Sequence, residues 1–248
     1  MELVIADASF FKKCVDAIVS LVDEGTFVVS SDGIHLRTMD PSQIAMIDFS
    51  MPKTAFSKIT VDDKTSVGIN ISDLSKILAR TRSDEKLSIS VDEKESKLLL
   101  EFSGPSRRHF KLPLLESTSV LPKEPKVEFD ASVKMKGRAL KDVLHDAGLL
   151  SSHVILQTDD SEFVVEAHGD SGDLHIQTKK DSGNLESMTV KGKSRAMFPF
   201  QYLDDITRGC PDDASVNVEL KSDAPVKISY QINDAKFSYY LAPRVESI

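Results

Sequence analysis

The sequence predicts an α+β fold built from two copies of one unit, with antiparallel sheets outside and short helices packed on one face. Three observations carry this reading. Segments of the first half recur in the second at a constant spacing. Apolar residues alternate with polar ones in paired runs joined by turn residues. The stretches of helical period are few and short.

In chain order, Ser9–Val22 is read as a helix, with Phe11, Cys14, Val15, Ile18, Leu21 and Val22 on its apolar side. Thr26–Ser30 and Gly33–Thr38 form a hairpin around Ser31-Asp32-Gly33. A second helix covers Ile71–Ile77, and a second hairpin pairs Leu87–Val91 with Lys97–Phe102 around Asp92–Ser96. Glu116–Lys126 holds two prolines and small polar residues, so it reads as a connector. It also holds adjacent Val120 and Leu121, which either pack on the body or wall a groove. Beyond it come a helix at Arg138–Leu149, strands at Glu162–Ala167 and Leu174–Thr178, a helix at Phe200–Ile206, and a hairpin of Val216–Leu220 with Val226–Tyr230. The expected division is a first domain at 1–115, a connector at 116–127 and a second domain at 128–248.

The repeat fixes one register for all of these. Phe11 falls on Leu140, an offset of 129, and Ile34 on Phe163, Leu36 on Val165, Leu74 on Leu203, Leu87 on Val216, Ile89 on Val218 and Leu112 on Leu241 keep it. Alternating strands can be aligned anywhere; helices and strands holding one shift together cannot.

The net charge of −8 argues against a general nucleic-acid binder, which needs a basic surface, unless charge is segregated. Cys14 and Cys210 form no CxxC pair and read as free thiols. No apolar run reaches the roughly 20 residues of a membrane span, and Met1–Asp7 has no signal-peptide character. A cytoplasmic protein is expected. Gly169-Asp170-Ser171-Gly172 matches a serine-hydrolase nucleophile motif, but between two strands Asp, Ser and Gly are ordinary turn residues. His168, Asp170, Asp173 and His175 lack any metal-ligand spacing, and no phosphate loop or carboxylate pair stands out. The chain reads as a non-enzymatic binding scaffold with no cofactor and no metal.

Met39-Asp40-Pro41-Ser42-Gln43-Ile44-Ala45-Met46-Ile47, the helix Ile71–Ile77 and the C-terminal Tyr239-Tyr240-Leu241-Ala242-Pro243-Arg244 resemble segments of sliding clamps of the proliferating cell nuclear antigen family, in its archaeal form. The resemblance spans essentially the whole chain. It implies the DNA clamp fold, a homotrimeric ring encircling duplex DNA without regard to sequence, and partners that include DNA polymerase, a clamp loader and other proteins with clamp-binding peptides. It places Lys12, Lys13, Lys76, Arg80, Arg138, Lys141 and Arg208 toward DNA, with His145 nearby. It assigns Met39, Ile44, Met46, Leu121, Pro225, Tyr240, Ala242 and Pro243 to a partner-peptide pocket. Between subunits it pairs a strand near Arg107–Leu112 with one near Leu174–Lys179, the latter carrying His175 and Ile176. Asp142 and Asp146, four apart on one helix side, are expected to meet Arg82, Arg108 and Lys111 across that boundary. A heterotrimeric clamp or checkpoint ring, a hydrolase using Ser171 and a β-rich scaffold without DNA are the competing readings. The compartment would be the archaeal nucleoid, or the nucleus in a eukaryote.

Overall fold

A computed structural model describes residues 1–117 and 121–244; Val120 lies outside the described residues. The first half runs β1 (Glu2–Ile5), α1 (Ala8–Val19), β2 (Glu24–Ser30), β3 (Gly33–Met39), β4 (Ala45–Pro52), β5 (Lys58–Thr60), β6 (Thr65–Asn70), α2 (Ile71–Leu78), β7 (Lys86–Asp92), β8 (Lys97–Ser103) and β9 (Arg107–Pro113). The second runs β10 (Ala131–Lys136), α3 (Gly137–Gly148), β11 (His153–Thr158), β12 (Glu162–Gly169), β13 (Gly172–Lys179), β14 (Leu185–Val190), β15 (Ser194–Pro199), α4 (Phe200–Arg208), β16 (Ser215–Leu220), β17 (Val226–Ile232) and β18 (Ala235–Leu241).

The repeat is visible in the backbone. Shifting Ala8–Val19 by 129 gives Gly137–Gly148, and the same shift carries Thr65–Asn70 onto Ser194–Pro199 and Lys97–Ser103 onto Val226–Ile232. Strand pairing follows: Glu24 faces Asn70 in β2–β6, and His153 faces Pro199 in β11–β15. One boundary departs from the sequence reading. Helix α1 stops at Val19, and beyond it the Leu21 amide bonds three residues back to the Ile18 carbonyl in a tightened last turn that the Val22 amide shares. Leu21 and Val22 are still buried, so their apolar character marks the turn's packing and not more helix.

The chain forms two compact units, each discontinuous in sequence. Unit 1 comprises residues 1–41, 47–122 and 232–237; unit 2 comprises 42–46, 123–231 and 238–248. In unit 1 the neighbouring strands run β5-β1-β7-β8-β9 and β4-β3-β2-β6. In unit 2 they run β14-β10-β16-β17-β18 and β13-β12-β11-β15. Each unit's core lies between its sheets and its helix pair. Leu3, Val15, Ile18, Leu36, Phe49, Leu74 and Phe102 fill the first; Val133, Leu140, Leu144, Phe163, Phe198, Leu203 and Val218 fill the second. Burying each such side chain contributes roughly 1.5–3 kcal/mol.

Candidate functional site: a polar helix layer, two free strand edges and a pocket floor

In each unit the buried stripe of the helices leaves a polar side outward. On α1, Phe11, Cys14, Val15 and Ile18 face the core, while Lys13 is exposed and Lys12 half-buried. On α3, Leu140, Leu144 and Ala147 are buried, while Arg138, Asp142, His145 and Asp146 are exposed. Most cations of this layer have an acid beside them. Lys12 Nζ lies 2.5 Å from Asp16, Lys76 Nζ 2.8 Å from Asp73, and Arg138 Nε 3.7 Å from Asp142. Arg208 reaches both Asp204 and Asp205 at 2.7 Å, and those carboxylates hold its guanidinium above the usual arginine value. Lys141 is turned in among Asp212, at 2.9 Å, and the Cys210 carbonyl, at 2.5 Å. Lys13 and Arg80 are exposed and have no ion pair among the described residues. The two thiols beneath this layer, Cys14 and Cys210, are buried, which pushes each up to about 12 and keeps them protonated.

Each pair of helices is tied across its polar side. Ser75 on α2 donates to Asp16 on α1 at 3.2 Å, and His145 on α3 meets Asp204 on α4 at 3.0 Å. Burial raises the Asp204 carboxyl, but Arg208 and His145 outweigh it and hold the group below the usual carboxylate range.

Among the described residues six strands end a sheet, β5, β6, β9, β13, β14 and β15, and β9 and β13 are the longest of them. There β9 pairs with β8 alone, and β13 with β12 alone. Both edges alternate exposed and half-exposed residues, with Phe110 and Leu112 on β9 and Leu174 and Ile176 on β13. His175 on β13 is held by Glu166 at 3.1 Å. Near β9, Lys111 lies 3.1 Å from Glu95, and Arg82 reaches Ser106 at 3.4 Å. Arg108 is drawn inward: its guanidinium stacks 4.8 Å over the Phe102 ring and reaches the fully buried Glu85 carboxylate at 2.5 Å. Burial pushes the Glu85 carboxyl up, but the Arg82 amide and Arg108 more than offset it and hold it low. Sequence reasoning missed Leu149, which is 81% exposed at the end of α3. No local signal marks it, since adjacent apolar residues such as Cys14 and Val15 are both buried elsewhere.

Of the residues assigned to a partner pocket, Ile44, Met46, Pro225, Tyr240, Ala242 and Pro243 all belong to unit 2. The Ala242 amide donates to the Ile44 carbonyl at 2.8 Å, which sets residues 42–46 beside the chain leaving β18. Ile44, Pro225, Ala242 and Pro243 are partly exposed, whereas Met46 and Tyr240 are buried at 3% and 4% and can only form a floor. The Tyr240 hydroxyl is bonded to the connector's Glu124, and Lys227 sits 5.4 Å over its ring. Met39 and Leu121 belong to unit 1, where Met39 is 36% exposed.

Ser171 occupies the tip of a two-residue turn closed by Gly169 facing Gly172. A side chain at Gly169 would place its Cβ 1.8 Å from the Leu150 carbonyl oxygen, and Gly172 has φ +149°, so both positions need glycine. His168 is directed to Asp173 at 2.8 Å, and no histidine bonds Ser171 among the described residues. The motif is a hairpin turn. Nor is any helix among the described residues long and apolar enough to cross a membrane.

Comparison with known proteins matches the whole chain. The family model for the proliferating cell nuclear antigen, N-terminal domain, covers residues 1–117, and that for its C-terminal domain covers residues 123–245. A DNA polymerase sliding clamp of Methanococcus maripaludis (strain S2) is 35% identical over 96% of both chains. That of Pyrococcus furiosus is 30% identical over 99% of this chain and 98% of its own. A structure of A. fulgidus PCNA bound to the C-terminal region of FEN-1 superposes with TM-score 0.90 at 25% identity, covering 100% of this chain and 99% of that one. PCNA from Thermococcus kodakaraensis shares the fold at TM-score 0.92, over 98% and 99%, with 24% identity.

Proposed function

Since the chain belongs to the proliferating cell nuclear antigen family, we propose that three copies of it close into a ring around duplex DNA. The chain is a DNA sliding clamp that tethers replication proteins. We read it as a non-catalytic scaffold that works wherever the cell keeps its chromosome, using no cofactor.

The observation that supports ring closure is the pair of half-satisfied edges, β9 and β13. An edge strand leaves a row of amides and carbonyls unpaired, and joining one edge to the other satisfies both. The two edges differ, so the contact is head-to-tail, and a head-to-tail contact that closes makes a ring. By the repeat, the counterparts of β9 and β13 are β18 and β4. Phe110, Ile176 and Leu149 would be covered at this joint, and Asp142, Asp146 and His175 would lie beside Arg82, Arg108 and Lys111.

The polar sides of the four helices then line the hole. Contacts there go to phosphates, which carry no sequence information and let the ring move. The chain as a whole carries −8, and an acidic surface outside the hole would keep DNA off it. Partner peptides are expected over Ile44, Pro225, Ala242 and Pro243, adding a strand beside the C-terminal tail.

Native mass measurement of the purified protein tests this. Three chains are the expected mass, and Ile176→Asp should shift it to one chain. A wild-type mass of one chain at every concentration, with no assembly alongside sister clamp chains, would sink the ring.

A further inference from the structure

Resting on the clamp reading, we propose that the grip on DNA is confined to the N-terminal unit, through Lys13 and Arg80, and that the helices of the C-terminal unit form an electrostatically blank wall. The repeat makes the comparison position by position. Lys13 on α1 corresponds to Asp142 on α3, and Lys76 on α2 to Asp205 on α4, so two cations become acids. Arg80, just past α2, corresponds to Gly209. Lys12 keeps its cation in Lys141, but the Lys141 side chain is only 18% exposed and is engaged by Asp212 and the Cys210 carbonyl.

The cations that α3 and α4 carry in addition do not restore the balance. Arg138 faces Asp142 one turn on, and Arg208 is shared by Asp204 and Asp205. The layer of α1, α2 and Arg80 holds four basic residues against Asp16 and Asp73. That of α3 and α4 holds three against Asp142, Asp146, Asp204 and Asp205, with His145 on Asp204. A phosphate approaching Arg208 meets two carboxylates within the same few ångströms, well inside a Debye length of about 8 Å. A phosphate approaching Lys13 or Arg80 meets no paired acid and releases a counterion on arrival.

The test uses full-length protein and a fluorescent blunt duplex, with anisotropy read across a salt series. Lys13→Ala with Arg80→Ala should weaken binding about tenfold at low salt and flatten the log–log salt slope by about 0.9 for each cation removed from a phosphate. Arg138→Ala with Arg208→Ala should stay within about twofold, and Asp205→Lys should tighten binding. Retention of wild-type ring on nicked circular against linear DNA is measured in parallel. Preference for circles with equal losses from the two double variants would overturn this assignment alone. No preference for circles would overturn encirclement and the assignment together.

Discussion

The helix layers of the two units share a backbone and disagree in almost every polar group. Asp16 and Ser75 join α1 to α2; at the same two positions His145 and Asp204 join α3 to α4, so the acid has moved to the other helix of the pair. Asp7 caps α1 through the Ser9 amide and Asn70 caps α2 through the Asp73 amide, both at 2.8 Å. Their counterparts, Lys136 and Pro199, provide no side-chain cap. What persists is backbone: Ala8 N to Glu85 O becomes Gly137 N to Ala214 O, and Ile71 N to Asp23 O becomes Phe200 N to Ser152 O. Main-chain bonds and apolar packing fix the fold twice over, while caps, ion pairs and charge are free to change between copies.

Three measurements break or sharpen that comparison. The largest effect is expected at Glu85, whose counterpart is Ala214, because its buried pair with Arg108 exists in one half only. Glu85→Ala should cost about 3–5 kcal/mol in chemical denaturation by stranding the guanidinium. Its carboxyl titrates lower in the folded chain than in the unfolded one, so its contribution is complete above the ordinary carboxylate value and fades as pH falls through the folded one. Glu85→Gln should therefore flatten the acid limb of the stability profile; an unchanged limb would remove the pair's role. Next come Leu74→Ala and Leu203→Ala, both at buried, equivalent helix positions. Each should cost about 2–5 kcal/mol, and losses differing by more than about half would mean that the two cores are not equivalent. The smallest is the caps. Asn70→Ala and Asp7→Ala should each lose about 1 kcal/mol, whereas Lys136→Ala should lose less.

Much of this was legible in the sequence, because apolar spacing is what packing reads. Phe11 with Leu140, or Leu74 with Leu203, are buried in both copies, and one constant offset recovers the element order. Helix ends were less so: Leu21 and Val22 look helical but close a turn. The polar sites were legible only by type. Arg108 reads as a surface cation on an alternating strand, yet its partner Glu85 lies 23 residues earlier and fully buried. Lys141 reads as an outward lysine until the chain end of α4 brings the Cys210 carbonyl to it. Such pairings depend on tertiary neighbours that no local period announces.

Residues 42–46 complete the second unit and residues 232–237 the first. A protease that nicked the chain anywhere in 116–127 would leave residues 42–46 on the first polypeptide and 232–237 on the second, so each fragment would keep a short stretch that groups with the other unit.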